Sequence, residues 1–132
     1  MKGRLLALWI VSVLLLGVTA YGHHAFAATY FEDKTITIEG KLLQFMIRNP
    51  HSFVSIEAPD EAGVMQRWGV EWGGAGQLGN QGVTRETLKV GDILMITGNP
   101  GRNAADHRIR MTALKRKSDG FEWGQRKGET VD

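Results

Sequence analysis

Short apolar stretches, most of them alternating with polar residues at period two, recur along the chain and are typical of half-buried β-strands. The predicted strands cover residues 35–47, 52–58, 65–72, 93–97 and 107–114. The alternation in the first strand changes phase by one residue between Ile38 and Leu43, and Gly40 lies between the two halves. We therefore predict a β-bulge at Gly40 that bends one long strand.

The segments between the strands contain turn residues and no helical period longer than one turn. Asn49-Pro50 predicts a turn before the second strand, and residues 73–82 are glycine-rich and irregular, without the Gly-Lys-Ser/Thr of a phosphate loop. Residues 84–88 predict one helical turn or a capped turn. This order of strands and turns predicts an all-β domain, a small five-stranded barrel of the oligonucleotide/oligosaccharide-binding (OB) type, with a β-sandwich as the alternative.

The first 22 residues have the order of a signal peptide: a positive start, an apolar run over residues 5–18 and small residues after it. The apolar run is shorter than the roughly 20 residues that a membrane-spanning helix needs. We expect a periplasmic or secreted protein that is not stably inserted in the membrane after cleavage. The predicted organisation is a signal peptide, an N-terminal arm, a β-barrel domain and a flexible polar tail, over residues 1–22, 23–34, 35–115 and 116–132.

Charge and cysteine content exclude several classes of function. Removing Lys2 and Arg4 with the leader leaves 14 basic residues, which balance the 14 acidic ones. A neutral mature chain offers no basic surface for nucleic acid, so we expect no nucleic-acid partner. The chain has no cysteine, which excludes disulfides, thiolate metal sites and cysteine nucleophiles. No Ser-His-Asp set or pair of catalytic carboxylates stands out either.

Two of the four histidines, His23 and His24, lie where the leader should end. Ala20 and Gly22 are small residues suited to positions −3 and −1 of a cleavage site, and a cut after Gly22 makes His23 the first residue. Its α-amine and ring would then chelate one metal ion, and His51, at a strand mouth, would complete a set of three nitrogens. This set resembles the histidine brace of copper proteins, so we expect copper as the bound metal.

Two other cleavage sites for the signal peptidase remain as alternatives. Cleavage after Ala20 would give Tyr21-Gly22-His23, and a histidine in third position suits square-planar Cu(II) or Ni(II). Cleavage after Ala27 would remove both His23 and His24 and with them the metal site. The alternative without metal is that the histidine pair arose by chance and that His51 caps a turn.

The remaining candidate residues also have more than one interpretation. His24 is either a fourth ligand or a residue that contacts the ligands. Glu71 is an axial oxygen ligand, a residue that orients a ligand ring, or an exposed carboxylate paired with Arg67. The last of these interpretations of Glu71 is the favoured one. Trp68 and Trp72 lie on one face of the same strand. This pattern predicts that both belong to the core, rather than to a platform on which sugars or bases stack. We expect His107, between a polar loop and a strand, on the surface.

Four segments together resemble a family of small exported bacterial proteins that carries a domain-of-unknown-function label. They are His23-His24-Ala25-Phe26, Asn49-Pro50-His51, Trp68-Gly69-Val70-Glu71 and residues 84–92. The resemblance extends to about Leu114 and implies export and a small β-barrel, but no established reaction. Leaders of that family resemble a small-x-Ala site before the histidines, whereas this chain has Ala20-Tyr21-Gly22.

These observations favour an exported β-barrel protein that binds copper or another divalent metal through His23, His24, His51 and Glu71 and acts in metal handling rather than catalysis. The alternative is a metal-free periplasmic binding module for a partner protein or an oligosaccharide, using one barrel face and the loop at residues 73–82. A copper-dependent oxidative enzyme ranks third, because no insertion that would shape a substrate site is visible.

Overall fold

The computed structural model describes residues 26–131, which form a β-barrel with little helix. The elements in chain order are β1 (Ile36–Met46), β2 (Ser52–Pro59), β3 (Met65–Trp72), α1 (Ala75–Asn80), β4 (Ile93–Pro100), a 3-10 turn (Ala104–Asp106), β5 (Arg108–Arg116) and β6 (Phe121–Trp123). A further helical turn covers residues 26–29. Within the described range, no helix is long and apolar enough to cross a membrane. The predicted signal peptide lies outside this range.

The sheet closes on itself. β1 pairs antiparallel with β2 and β4, β2 with β3, and β4 with β5. A short parallel pairing between β3 and β5, from Gly69 opposite Arg108 to Glu71 opposite Arg110, completes the barrel. β6 adds a sixth strand along β5. The predicted five-stranded barrel is therefore confirmed, and it carries one strand more than the sequence pattern indicated.

The bulge in β1 is present, but its predicted position at Gly40 is wrong. The register between β1 and β2 shifts between Leu42 and Gln44, so Leu43 is the extra residue. Gly40 pairs regularly with Leu94, and a Cβ atom there would overlap the carbonyl oxygen of Glu57. Glycine is required at this position because two backbones approach closely, not because the register changes there.

The inward side chains of β3 belong to the core. Trp68, Val70 and Trp72 are 8%, 0% and 0% exposed, so the core interpretation of the tryptophans is confirmed and the stacking platform is excluded. Trp72 meets the ring of Trp123 edge to face at a centroid distance of 5.2 Å. An edge-to-face aromatic pair adds to the burial of apolar area and ties β6 to the barrel.

Two segments have more structure than the sequence pattern indicated. The glycine-rich stretch at residues 73–82 contains α1, which buries Leu78. The C-terminal segment, expected to be loosely attached, packs on the barrel through Trp123 and Val131, which are 1% and 5% exposed. The side-chain amide of Gln77 in α1 donates to the carbonyl oxygen of Thr130 at 2.7 Å. Buried apolar side chains and hydrogen bonds together anchor this polar segment.

Candidate metal site

His51 lies in the turn between β1 and β2, immediately before β2 begins. The buried Ser52 fixes this turn: its hydroxyl accepts from the backbone N–H of Arg48 at 3.1 Å, and its own N–H donates to the carbonyl oxygen of Gly73 at 3.1 Å. The imidazole of His51 is about one-quarter exposed. The turn thus holds the ring at the barrel end where β3 finishes.

Glu71 on β3 lies beside His51 and is 8% exposed. Its Oε1 atom is 2.6 Å from Nδ1 of His51, and its Oε2 atom accepts a 2.6 Å hydrogen bond from the hydroxyl of Tyr30. The guanidinium of Arg108 is 3.6 Å from Oε2. A buried carboxylate requires such partners, because an uncompensated charge away from water is strongly unfavourable.

The favoured expectation for Glu71, an exposed carboxylate paired with Arg67, is therefore wrong. Arg67 instead donates to the hydroxyl of Ser55 at 2.8 Å. The cause is the N-terminal arm, which covers the outer face of β3 at Glu71 and removes the carboxylate from water. Strand alternation correctly placed Glu71 outside the barrel but could not show that the arm lies over it.

Tyr30 anchors this arm. It is 1% exposed and forms a bridge with Gly101, and the neighbouring N–H of Phe31 donates to the carbonyl oxygen of Pro100 at 3.0 Å. Burial, followed by the hydrogen bond to Glu71, raises the pKa of the Tyr30 hydroxyl well above its usual range. Tyr30 consequently keeps its proton and remains a hydrogen-bond donor to Glu71.

The first described residue of the arm packs directly on the candidate histidine. The rings of Phe26 and His51 lie 5.0 Å apart between centroids, and Phe26 is 7% exposed. The guanidinium of Arg110 covers the Phe26 ring at 4.0 Å from its centroid and also donates to the carbonyl oxygen of Val131. The arm therefore begins, within the described part of the chain, in contact with His51.

Comparison with protein families supports the expected resemblance. The model of the Family of unknown function (DUF6152) matches residues 11–110, about three quarters of the chain. The chain belongs to this family. No curated protein and no solved structure shows significant similarity to the chain. The DUF6152 match includes the arm, the turn at His51 and the strand that carries Glu71, and it ends within β5.

The structure brings together two of the four predicted ligands, His51 and Glu71. The other two, His23 and His24, lie outside the described residues. Within residues 26–131, no cluster of three or more His, Cys, Asp or Glu side chains is arranged to hold a metal ion. Among the described residues, His51 and Glu71 therefore lie together without a third side chain of these types to complete a metal site.

Three residues of this site, Phe26, Tyr30 and Arg108, were not predicted from the sequence. Phe26 and Tyr30 are four residues apart, and the N–H of Tyr30 donates to the carbonyl oxygen of Phe26 at 2.7 Å. An aromatic pair at that spacing predicts one helical turn with both rings on one side. Arg108 was assigned only to an alternating strand, since its partner Glu71 lies far away in the sequence.

The carboxylate beside Nδ1 determines what the imidazole can do. A nearby negative charge favours the tautomer with the proton on Nδ1, and the lone pair is then on Nε2. Histidines that bind metals commonly have this arrangement, with a carboxylate at the other ring nitrogen. The His51–Glu71 contact is therefore suited to a histidine that binds metal through Nε2.

Proposed function

We propose that the protein is an exported copper-binding protein that acts in metal handling. In this proposal, cleavage after Gly22 makes His23 the mature N-terminus, and its α-amine and ring bind one copper ion together with His51. The observation that carries the proposal is the 5.0 Å contact between the rings of Phe26 and His51. It supports the requirement that the new terminus and His51 lie on the same side of the barrel.

Chain connectivity turns that contact into a limit on distance. His23 precedes Phe26 by three residues, and consecutive Cα atoms are about 3.8 Å apart, so the two Cα atoms are separated by at most about 11 Å. Phe26 itself is held by His51, Arg110 and the anchored Tyr30. A ligand at position 23 is therefore tethered near His51, which reduces the entropy cost of assembling the site.

In this site Glu71 orients His51 and does not bind the metal as an axial ligand. Both of its oxygens already have partners: Oε1 contacts His51, and Oε2 accepts from Tyr30 and lies near Arg108. Binding a metal ion through Glu71 would require at least one of these contacts to break. His24 stays a candidate for a fourth ligand or for a contact to the ligands.

The chemistry of the donor set favours copper. Without cysteine the chain offers imidazole and amine nitrogens, which suit Cu(II), and imidazole also tolerates Cu(I).

A metal-free binding module has less support. The arm contacts both the β1–β2 turn and the β4–β5 loop, through Phe26–His51 and through Arg102, whose N–H donates to Thr29. In OB barrels these two loops flank the surface that binds oligomers, and in this protein the arm already contacts both of them.

The test compares three forms of the mature protein: one that begins at His23, one with three glycines added before His23, so that none of its first three residues is a histidine, and His51→Ala. The intact mass of the exported protein first establishes the cleavage site. We expect stoichiometric Cu(II) in the form that begins at His23, with affinity reduced about tenfold or more by either change. His107→Ala serves as the matched control, because His107 contacts Asp60 and Trp68 instead.

Two results would overturn the proposal. One is an N-terminus beyond Ala27, which removes both leader-proximal histidines. The other is copper affinity that neither the three added glycines nor His51→Ala changes.

A further inference from the structure

We infer that Arg110 is a positioning residue for the proposed copper site, and that the segment after β6, residues 124–131, regulates the site through it. Arg110 pairs with Glu71 in the parallel β3–β5 register, so the two side chains leave the barrel on the same outer face. As far as copper is concerned, this rests on the proposed function. The contacts themselves belong to the metal-free protein.

Arg110 holds two separate segments with one guanidinium group. Its central carbon lies 4.0 Å from the centroid of the Phe26 ring, and one of its N–H groups donates to the carbonyl oxygen of Val131. A planar guanidinium can lie over an aromatic ring and still donate hydrogen bonds from its edge. Arg110 therefore ties residues 124–131 to the first described residue of the arm.

Residues 124–131 are themselves held in place. The Oε2 atom of Glu129 accepts from the three consecutive backbone N–H groups of residues 124–126, at distances between 2.7 and 3.0 Å. The side-chain amide of Gln77 in α1 donates to the carbonyl oxygen of Thr130, next to the carbonyl group that Arg110 binds. The segment thus offers Arg110 a fixed acceptor.

The helix α1 connects the same segment to the turn that carries His51. The N–H of Ala75, the first residue of α1, donates to the carbonyl oxygen of Arg48 in this turn at 3.0 Å. Residues 124–131 are therefore linked to both halves of the proposed site. They reach the arm through Arg110 and the His51 turn through α1.

This arrangement makes residues 124–131 a clamp on the two halves of the site. In the proposed site the arm supplies the α-amine and ring of His23, and the turn supplies His51. A ligand held close to its partner binds at a higher effective concentration. Detachment of the clamp loosens the arm, and the release of copper is then faster.

The first experiment uses the metal-free protein that begins at His23. In Arg110→Gln we expect the ring protons of His51 to change their chemical shifts, because the Phe26 ring moves away from them. The amide of Tyr30, which donates to the carbonyl oxygen of Phe26, should exchange with solvent about tenfold faster, as loss of a cation–π contact predicts.

Two further variants accompany this measurement. Gln77→Ala weakens the attachment of residues 124–131 without altering Arg110, so it should shift the His51 ring protons in the same direction and decides the question if Arg110→Gln does not fold. Arg67→Gln is the matched control. Arg67 is also an arginine on the outer face of the barrel, but it donates to the hydroxyl of Ser55, and its replacement should leave the His51 shifts unchanged.

The second experiment measures the rate at which Cu(II) leaves the protein. Arg110→Gln should raise this rate about tenfold or more, whereas Arg67→Gln should not change it. In a His51→Ala background, Arg110→Gln should have no effect, because Arg110 acts by keeping the arm beside His51. A barrel that is merely less stable would release copper faster in both backgrounds.

Unchanged His51 shifts and unchanged Tyr30 exchange in Arg110→Gln would overturn the inference, whatever the protein does with copper. Equal effects of Arg110→Gln and Arg67→Gln on copper release would overturn it as well. If the unchanged protein binds no copper, the proposed function fails, and the metal-free experiment alone decides whether Arg110 positions the arm.

Discussion

The hydroxyl of Tyr30 donates a 2.6 Å hydrogen bond to Oε2 of Glu71, which lies 41 residues later in the chain. Both side chains are buried, at 1% and 8% exposed. The arm therefore contributes a hydrogen-bond donor to a carboxylate that it also shields from water. Arm and barrel depend on each other, because Glu71 without Tyr30 would be a buried charge with fewer partners.

Tyr30→Phe should lower the free energy of unfolding by about 2 kcal/mol, a value typical of hydrogen bonds to charged groups. Urea denaturation measures the change. Thr37→Val is a suitable control, since it removes an exposed hydrogen bond to Thr97 and should cost less than about 1 kcal/mol. Equal effects of the two substitutions would contradict a special role for the Tyr30–Glu71 bond.

Alkaline pH provides a second measurement on Tyr30. Burial and Glu71 raise its pKa above the ordinary value of 10.0, so the unfolded chain releases this proton before the folded protein does. The associated stability is complete below pH 10.0 and decreases as pH rises above it. Tyr30→Phe should make the loss of stability above that pH less steep, as followed by thermal unfolding. An unchanged slope would show that the hydroxyl titrates alike in both states.

Glu71→Gln tests the orienting role proposed for this residue in copper binding. The amide keeps the shape but weakens the electrostatic preference for the proton on Nδ1 of His51. We expect the same copper stoichiometry and an affinity lower by about 10–100-fold, as for other residues that position metal ligands. Glu57→Gln, an exposed carboxylate on β2, should leave the affinity unchanged. Complete loss of copper from Glu71→Gln would instead indicate direct ligation.

The barrel was predictable because its strands follow short-range patterns. Alternation over residues 65–72 defines β3 with its bounds, and turn residues such as Pro50 and Gly63 separate the strands. What could not be predicted depends on long-range contacts. Trp123 lies in a polar segment without a pattern, yet it forms part of the core against Trp72. Only the folded barrel shows that a surface is available for it.

The candidate site shows the same division. The turn residues around His51 predicted its place at a strand mouth, and the structure places Glu71 beside it. Sequence alone could not pair these two residues, since they are brought together by the β2–β3 register. Nor could it show that Phe26 closes over His51, because that contact requires the arm to turn back along the outside of the barrel.

Arg116 and Asp119 should determine part of the stability in acid. The guanidinium of Arg116 donates to both carboxylate oxygens of Asp119, at 3.0 and 2.8 Å, and this contact above all lowers the pKa of Asp119 from 3.8 to about 2. The associated stability is present above pH 3.8 and is lost as pH falls toward 2. Asp119→Asn should flatten the pH dependence of unfolding in that window, while Asp33→Asn, exposed on the arm, should not. Parallel curves for the unchanged protein and Asp119→Asn would refute this assignment.

Gly40 and Gly69 form a matched pair for testing which glycines the barrel requires. Both lie within strands of the barrel, but a Cβ atom at Gly40 would overlap the backbone of Glu57, whereas one at Gly69 would meet no atom within 4 Å. Gly40→Ala should therefore lower the free energy of unfolding by about 3 kcal/mol, because β1 and β2 would have to move apart. Gly69→Ala should be neutral or stabilising by up to about 1 kcal/mol, since alanine restricts the unfolded chain. Urea denaturation of both variants measures the two changes. If both substitutions lower the free energy of unfolding equally, close approach of β1 to β2 is not the reason for glycine at position 40.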